Sequence, residues 1–162
     1  MIDIGVHITD LIRWFAGRKV TEVFATIRTL EKSVKVDDNA TVLLKFEDDS
    51  KGEIECSWTT RPYEVLTFAY GEKGKMTTAL GIEKPVKVVI AKTRKGEDPN
   101  CVQEEVYPQI GPGGGWENAV HYFIDCVIKK ERPFVSGEEG RDTIAVINAA
   151  YESNRQGRWV RV

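Results

Sequence analysis

His7 has an acid one helical turn away on either side. In Asp3-Ile4-Gly5-Val6-His7-Ile8-Thr9-Asp10-Leu11-Ile12-Arg13-Trp14 the residues able to do chemistry recur at spacings of four, three and four. On a helix of 3.6 residues per turn those spacings hold Asp3, His7, Asp10 and Trp14 within roughly 60° of each other. A carboxylate one turn from an imidazole can fix its tautomer and stabilise its protonated form, as a general acid/base requires. A wetted polar face with His7 as a bystander satisfies the same spacing.

The elements that must position this face follow from the same periodicity. Met1 to Gly17 reads as one helix, with Ile8, Leu11, Ile12 and Phe15 on the arc expected to pack against the domain and Gly17 placed to end it in a left-handed conformation. After Gly17 the apolar residues recur at every second position. Val20–Leu30, Ala40–Glu47, Glu53–Thr60, Glu64–Tyr70, Lys75–Leu80, Val86–Ala91 and Val102–Tyr107 read as strands joined by turns, with Trp159–Val162 as a short edge strand. Arg61-Pro62 interrupts the ladder, which is expected to resume at Glu64, because proline has no N–H to donate. A helix over Trp116–Lys130 carries an apolar stripe of Val120, Phe123, Ile124, Val127 and Ile128, expected to be buried, with His121 beside it. Ser136-Gly137-Glu138-Glu139 has capping-box spacing and opens a last helix, expected to bury Ile144, Ile147 and Tyr151 and to stop at Gly157.

These elements predict an α+β domain over residues 1–162: a largely antiparallel, open-faced sheet of six or seven strands with about three helices on one face. The other face, with apolar residues such as Leu43 on it, is expected to pair with a second copy of the chain.

The motif Asp3-x-Gly5-x-His7-x-x-Asp10-x-x-x-Trp14 resembles the segment that opens the second domain of the glucose-fructose oxidoreductase / inositol dehydrogenase / MocA family of NAD(P)-dependent oxidoreductases. Tyr70-Gly71-Glu72-Lys73-Gly74-Lys75-Met76 is similar to that family's mid-domain hairpin. Glu138-Glu139-Gly140-Arg141-Asp142, with Ala149-Ala150-Tyr151-Glu152-Ser153 and Gly157-Arg158, is similar to its closing helix. The resemblance implies that Asp3 and His7 are the catalytic and substrate-binding pair. His7 would take the proton from a substrate hydroxyl while hydride passes to the nicotinamide, and Asp3 would orient the ring and bind a neighbouring hydroxyl. Asp10 would hold the helix start or the His7 ring, Trp14 would pack at the domain junction, and His121 is a boundary histidine or a substrate contact. Family enzymes also carry an N-terminal Rossmann domain and a Glu-Lys-Pro motif with a catalytic lysine. Glu83-Lys84-Pro85 lies far downstream of that position and reads as a coincidental loop.

The chain is therefore expected to be the second domain alone, with the Rossmann partner absent and NAD or NADP bound only in the full-length parent. No cofactor or turnover is expected from this chain by itself, and the substrate implied is a sugar, cyclitol or related polyol. A stand-alone oligomerisation or ligand-binding module that lost the chemistry is the competing expectation.

Composition bounds the rest. A chain of 162 residues, 41% hydrophobic and 30% charged, is long enough to bury roughly 70% of its unfolded surface. A net charge of −2 gives no electrostatic reason to expect nucleic acid or an anionic membrane as partner. No apolar run reaches the length of a membrane span. Cys56, Cys101 and Cys126 are far apart and without a CxxC, so they read as reduced core cysteines of a cytoplasmic protein rather than metal ligands. The glycine-rich Gln109–Gly115 precedes a helix, but no Gly-Lys-Ser/Thr follows and Glu117 would repel an anion, leaving a loop near the substrate cleft or a plain linker.

Overall fold

The alternation after Gly17 does become strands, but in two sheets rather than one. The computed structural model describes residues 1–31, 33–79, 84–91, 103–108 and 115–162. In chain order the elements are α1 (Ile4–Ala16), β1 (Val20–Arg28), β2 (Asn39–Phe46), β3 (Lys51–Ser57), β4 (Leu66–Gly71), β5 (Gly74–Ala79), β6 (Val86–Ala91), β7 (Gln103–Val106), α2 (Trp116–Lys129), α3 (Gly137–Gln156) and β8 (Val160–Arg161). They fall into two compact units, one of Met1–Thr60 with Phe123–Val162 and one of Arg61–Tyr122.

The first unit holds the sheet β3-β2-β1-β8, antiparallel throughout. Its register sets Val23 against Leu44 and Val42 against Ile54, and all four side chains are at most 1% exposed. Val146, Ile147, Ala149 and Ala150 of α3 close the same core, and Val6, Ile8, Ile12 and Ala16 of α1 pack against it. Each fully buried Val, Leu or Ile contributes roughly 1.5–3 kcal/mol relative to exposure, so this layer dominates the unit's stability. Both predicted glycine stops are present: Gly17 and Gly157 sit at φ 59° and 67°, each donating its N–H back to a helix carbonyl. The predicted cap of the last helix also forms, with Ser136 Oγ accepting the N–H of Glu139.

The second unit holds the sheet β4-β5-β6-β7, again antiparallel. Its strands match the predicted segments, but the ladder expected to resume after Arg61-Pro62 starts a new sheet. The local reason is visible at the end of β3. There Trp58 still follows the β2–β3 register, donating its N–H to Asp38 O at 2.8 Å, but the next two donors, Thr59 and Thr60, turn back onto Ser57 Oγ at 3.1 and 2.9 Å. The donors that would extend the ladder are spent on a turn, and Pro62 supplies none. Among the described residues, the expected single sheet of six or seven strands is thus two sheets of four.

The helices depart from expectation in what they bury. On α1 the buried residues are Gly5 and Thr9, while Leu11 and Phe15 are 37% and 38% exposed. On α3 Thr143, Val146, Ile147, Ala149, Ala150 and Ser153 are buried, but Ile144 is 41% exposed. The apolar stripe of α2, expected inside, is outside: Val120, Phe123, Ile124, Val127 and Ile128 are 47–72% exposed and only Cys126 is buried. An amphipathic arc marks a side that can be buried without naming what buries it. Two helices, α1 and α3, cover the first sheet, rather than three helices on one sheet. Glu83, Thr93–Asn100, Cys101, the start of the strand expected at Val102, and residues 109–114 of the glycine-rich loop lie outside the described residues.

Candidate functional site

The candidate site is the outward face of α1. Gly5 leaves room for the Met1 side chain, since a Cβ added there would stand 2.5 Å from Met1 Sδ and 3.6 Å from Cys56 Sγ on β3. Thr9, one turn on and fully buried, spends its hydroxyl on Gly5 O at 2.7 Å, so no polar group is left orphaned on the packed side. With Gly5, Thr9, Ile12 and Ala16 inward, Asp3, His7 and Trp14 fall on the opposite side of the wheel. Asp3 and His7 are both exposed, and Trp14 is 58% exposed with its ring 5.1 Å from that of Phe15.

Two details refine the predicted constellation. Asp3 is not inside the helix: it is the N-cap, at φ −89° and ψ −86°, and its side chain makes no capping bond. Among the described residues, Asp3 and His7 share no hydrogen bond or ion pair, which leaves both groups open to a third molecule. Asp10 is half-buried and committed elsewhere, accepting the hydroxyl of Thr143 on α3 at 3.0 Å.

Sequence reasoning missed the residue at the centre of that contact. Arg13, with a side chain 9% exposed, donates to Thr143 Oγ1 at 2.6 Å, to Glu139 O at 3.0 Å and to Glu139 Oε2 at 3.0 Å. Asp142 and Asp10 stand 3.8 and 3.9 Å from it. The one available signal was an arginine three residues after an acid, a spacing common on any helix surface.

His121 lies on α2 within the Arg61–Tyr122 unit and is exposed. Lys84 of the Glu-Lys-Pro string precedes β6, and its ammonium lies 4.7 Å over the Tyr107 ring. Among the described residues no group of three His, Cys, Asp or Glu side chains could hold a metal ion, and no helix is long and apolar enough to cross a membrane. Cys56 and Cys126 are free thiols, and burial pushes the Cys56 thiol up.

Residues 1–77, from the start of α1 into β5, match the model of the GFO/IDH/MocA C-terminal domain. The match spans just under half of the 162-residue chain. Over 99% of its length the chain is 25% identical to a D-apiose dehydrogenase of Paraburkholderia graminis and 27% identical to the myo-inositol 2-dehydrogenase of Thermotoga maritima. It spans only 44% and 48% of those enzymes, just under half. Among solved structures, the aldose-aldose oxidoreductase of Caulobacter crescentus complexed with glycerol superposes with a TM-score of 0.79 at 19% identity, over 99% of this chain and 46% of that one. A levoglucosan dehydrogenase in complex with NADH and levoglucosan does so with a TM-score of 0.77 at 19% identity, over 99% of this chain and 49% of that one. At that identity the likeness establishes the fold. The GFO/IDH/MocA segment contains α1 whole, so the Asp3 and His7 pair lies inside the matched residues.

Proposed function

We propose that this chain is the substrate-binding and oligomerisation domain of an NAD(P)-dependent oxidoreductase acting on a sugar, cyclitol or related polyol. The observation that carries the reading is the exposure of His7 and Asp3 on the unpacked side of α1, within the family segment. Relatives that act on D-apiose and myo-inositol, and a structural neighbour holding glycerol, support the polyol class.

The chain's own share of the chemistry is the proton. A neutral His7 accepts it from the reacting hydroxyl, and the Asp3 carboxylate accepts a hydrogen bond from a neighbouring hydroxyl while favouring the imidazolium that forms. Hydroxyl-rich substrates suit a site of acceptors, because each hydroxyl brings a donor of its own. The described residues do not fit NAD(P). Every described strand pairing is antiparallel, unlike the parallel strand–helix–strand unit that holds a dinucleotide. We assign the cofactor platform to a Rossmann domain in the portion of the relatives that this chain does not span. By itself the chain binds no NAD(P) and turns nothing over; micromolar binding of either dinucleotide by isothermal titration overturns that assignment.

The oligomer contact is placed on the sheet face turned away from the helices. Phe24 and Leu43 are register partners there, with Trp159 5.8 Å from Phe24. Free Cys56 and Cys126 agree with a reducing, cytoplasmic setting.

Nuclear magnetic resonance of the two imidazoles tests the site. Titrating the chain with myo-inositol and a panel of aldoses is expected to move the His7 ring signals in a saturable way. Unmoved His7 signals across the whole panel at high millimolar concentration overturn the polyol reading.

A further inference from the structure

The contacts between α1 and α3 do more than hold two helices together. Asp10 lies three residues after His7, and side chains on a helix lean toward its N-terminus, so an untethered Asp10 carboxylate would lean at the imidazole. In the structure it does not have that freedom. Its Oδ1 accepts the Thr143 hydroxyl at 3.0 Å, and the same Thr143 oxygen accepts from Arg13 at 2.6 Å. Arg13 in turn is fixed on α3 by both the carbonyl and the carboxylate of Glu139. A guanidinium with a 9% exposed side chain and this many fixed partners has little rotational choice.

We propose that Arg13 is a positioning residue for His7: through Thr143 it ties Asp10 to α3, which sets the roll of α1 and leaves Asp3 as the acid open to the imidazole. The inference rests on the reading of His7 as the proton acceptor, and it assigns separate roles to the two acids that flank it. The charged side chains within two turns of His7 along this segment are Asp3, Asp10 and Arg13, and Arg13 pairs in turn with Glu139 and Asp142 on α3. Removing the guanidinium leaves those three acids, Asp10, Glu139 and Asp142, without their shared cation. Asp10 is then released toward His7.

The chain has two histidines, so His121 on α2 serves as an internal control. The experiment is a pH titration of both imidazole ring signals, without substrate or cofactor, in the 162-residue chain. Arg13→Gln is expected to raise the His7 midpoint by about 0.2–0.4 pH unit, the size of a helix-surface ion pair, and to leave His121 unmoved. The double variant Asp10→Asn with Arg13→Gln is expected to abolish the rise, and Arg13→Lys to restore part of the original midpoint. Thr143→Val, which keeps the cation and removes only the bridging hydroxyl, is expected to give a smaller rise in the same direction, and it is decisive if Arg13→Gln does not fold. A plain structural anchor would lower thermal stability while the His7 midpoint stayed put. That outcome, or an equal shift of both histidines, overturns the proposal. Because no substrate is present, the result is independent of whether polyols bind.

Discussion

Ser153 of α3 accepts the backbone N–H of Ala25 on β1 at 3.0 Å and donates its own hydroxyl to Arg158 O at 2.7 Å. The next residue, Asn154, accepts the N–H of Ile27 at 2.8 Å. β8 pairs with β1 only at Glu22 and Val23, so beyond that point two helix side chains take the donors of an otherwise open strand edge. Ser153 is fully buried and is satisfied twice. Ser153→Ala strands one donor and one acceptor, and is expected to cost about 1–3 kcal/mol in urea unfolding at unchanged m. Asn154→Ala, at a half-buried position, is expected to cost less.

Gly74 has a sharper requirement. Its φ of 149° lies where side chains are rarely tolerated, and a Cβ there would stand 2.0 Å from Val89 O on the neighbouring strand. Gly74→Ala must therefore break the β5–β6 pairing rather than strain it. Hydrogen exchange is expected to show lost protection across β4 to β7, while β1 to β3 stay protected. Full protection in both sheets refutes the steric account.

Tyr151 gives a pH dependence with a defined sign. Its hydroxyl donates to Asp37 Oδ1 at 2.7 Å, and burial, together with that carboxylate, pushes the phenol up to about 12. A phenol ordinarily titrates near 10. The fold therefore favours the protonated form, and the stability this contributes is complete below about pH 10 and is lost between there and about 12. Of the five tyrosines, one is expected to ionise late in a phenolate absorbance titration, and Tyr151→Phe is expected to remove that late step.

Leu43, 37% exposed on the outward face of the first sheet, tests the oligomer contact. Its register partners are Phe24 on one side and Glu53 on the other, so Leu43→Asp places two acids side by side on the proposed interface without touching the core. Sedimentation is expected to show an oligomer for the wild type and a monomer for the variant, with the same circular dichroism. A wild-type monomer at micromolar concentration removes this interface.

His7 itself is expected to be indispensable to turnover in any longer enzyme that contains this chain. His7→Gln should lower kcat by about 10²–10⁴-fold, the usual contribution of a positioned general base. A KM change with kcat intact would instead make His7 a binding group only.

The strands, the helix stops at Gly17 and Gly157, and the Ser136 cap were legible because each is written in a window of a few residues. Period-two alternation, a left-handed glycine and a hydroxyl three residues from an N–H are local facts. Asp3 and His7 as an outward pair were legible for the same reason, through a motif at the start of one helix. The division into two sheets was not, because Trp58 still pairs with Asp38 on β2 and alternation cannot say that the next two donors leave the ladder for Ser57 Oγ. Nor could periodicity say that α1 packs through Gly5 and Thr9, since neither residue is apolar: glycine works there by being absent as a side chain, and threonine by bonding its own helix. The commitment of Asp10 to Thr143, across most of the chain's length, is of the same kind. Sequence fixes what each short segment can become; which partner satisfies a donor or covers an apolar side is settled only when distant segments meet, because hydrogen bonding and burial are satisfied in space and not along the chain.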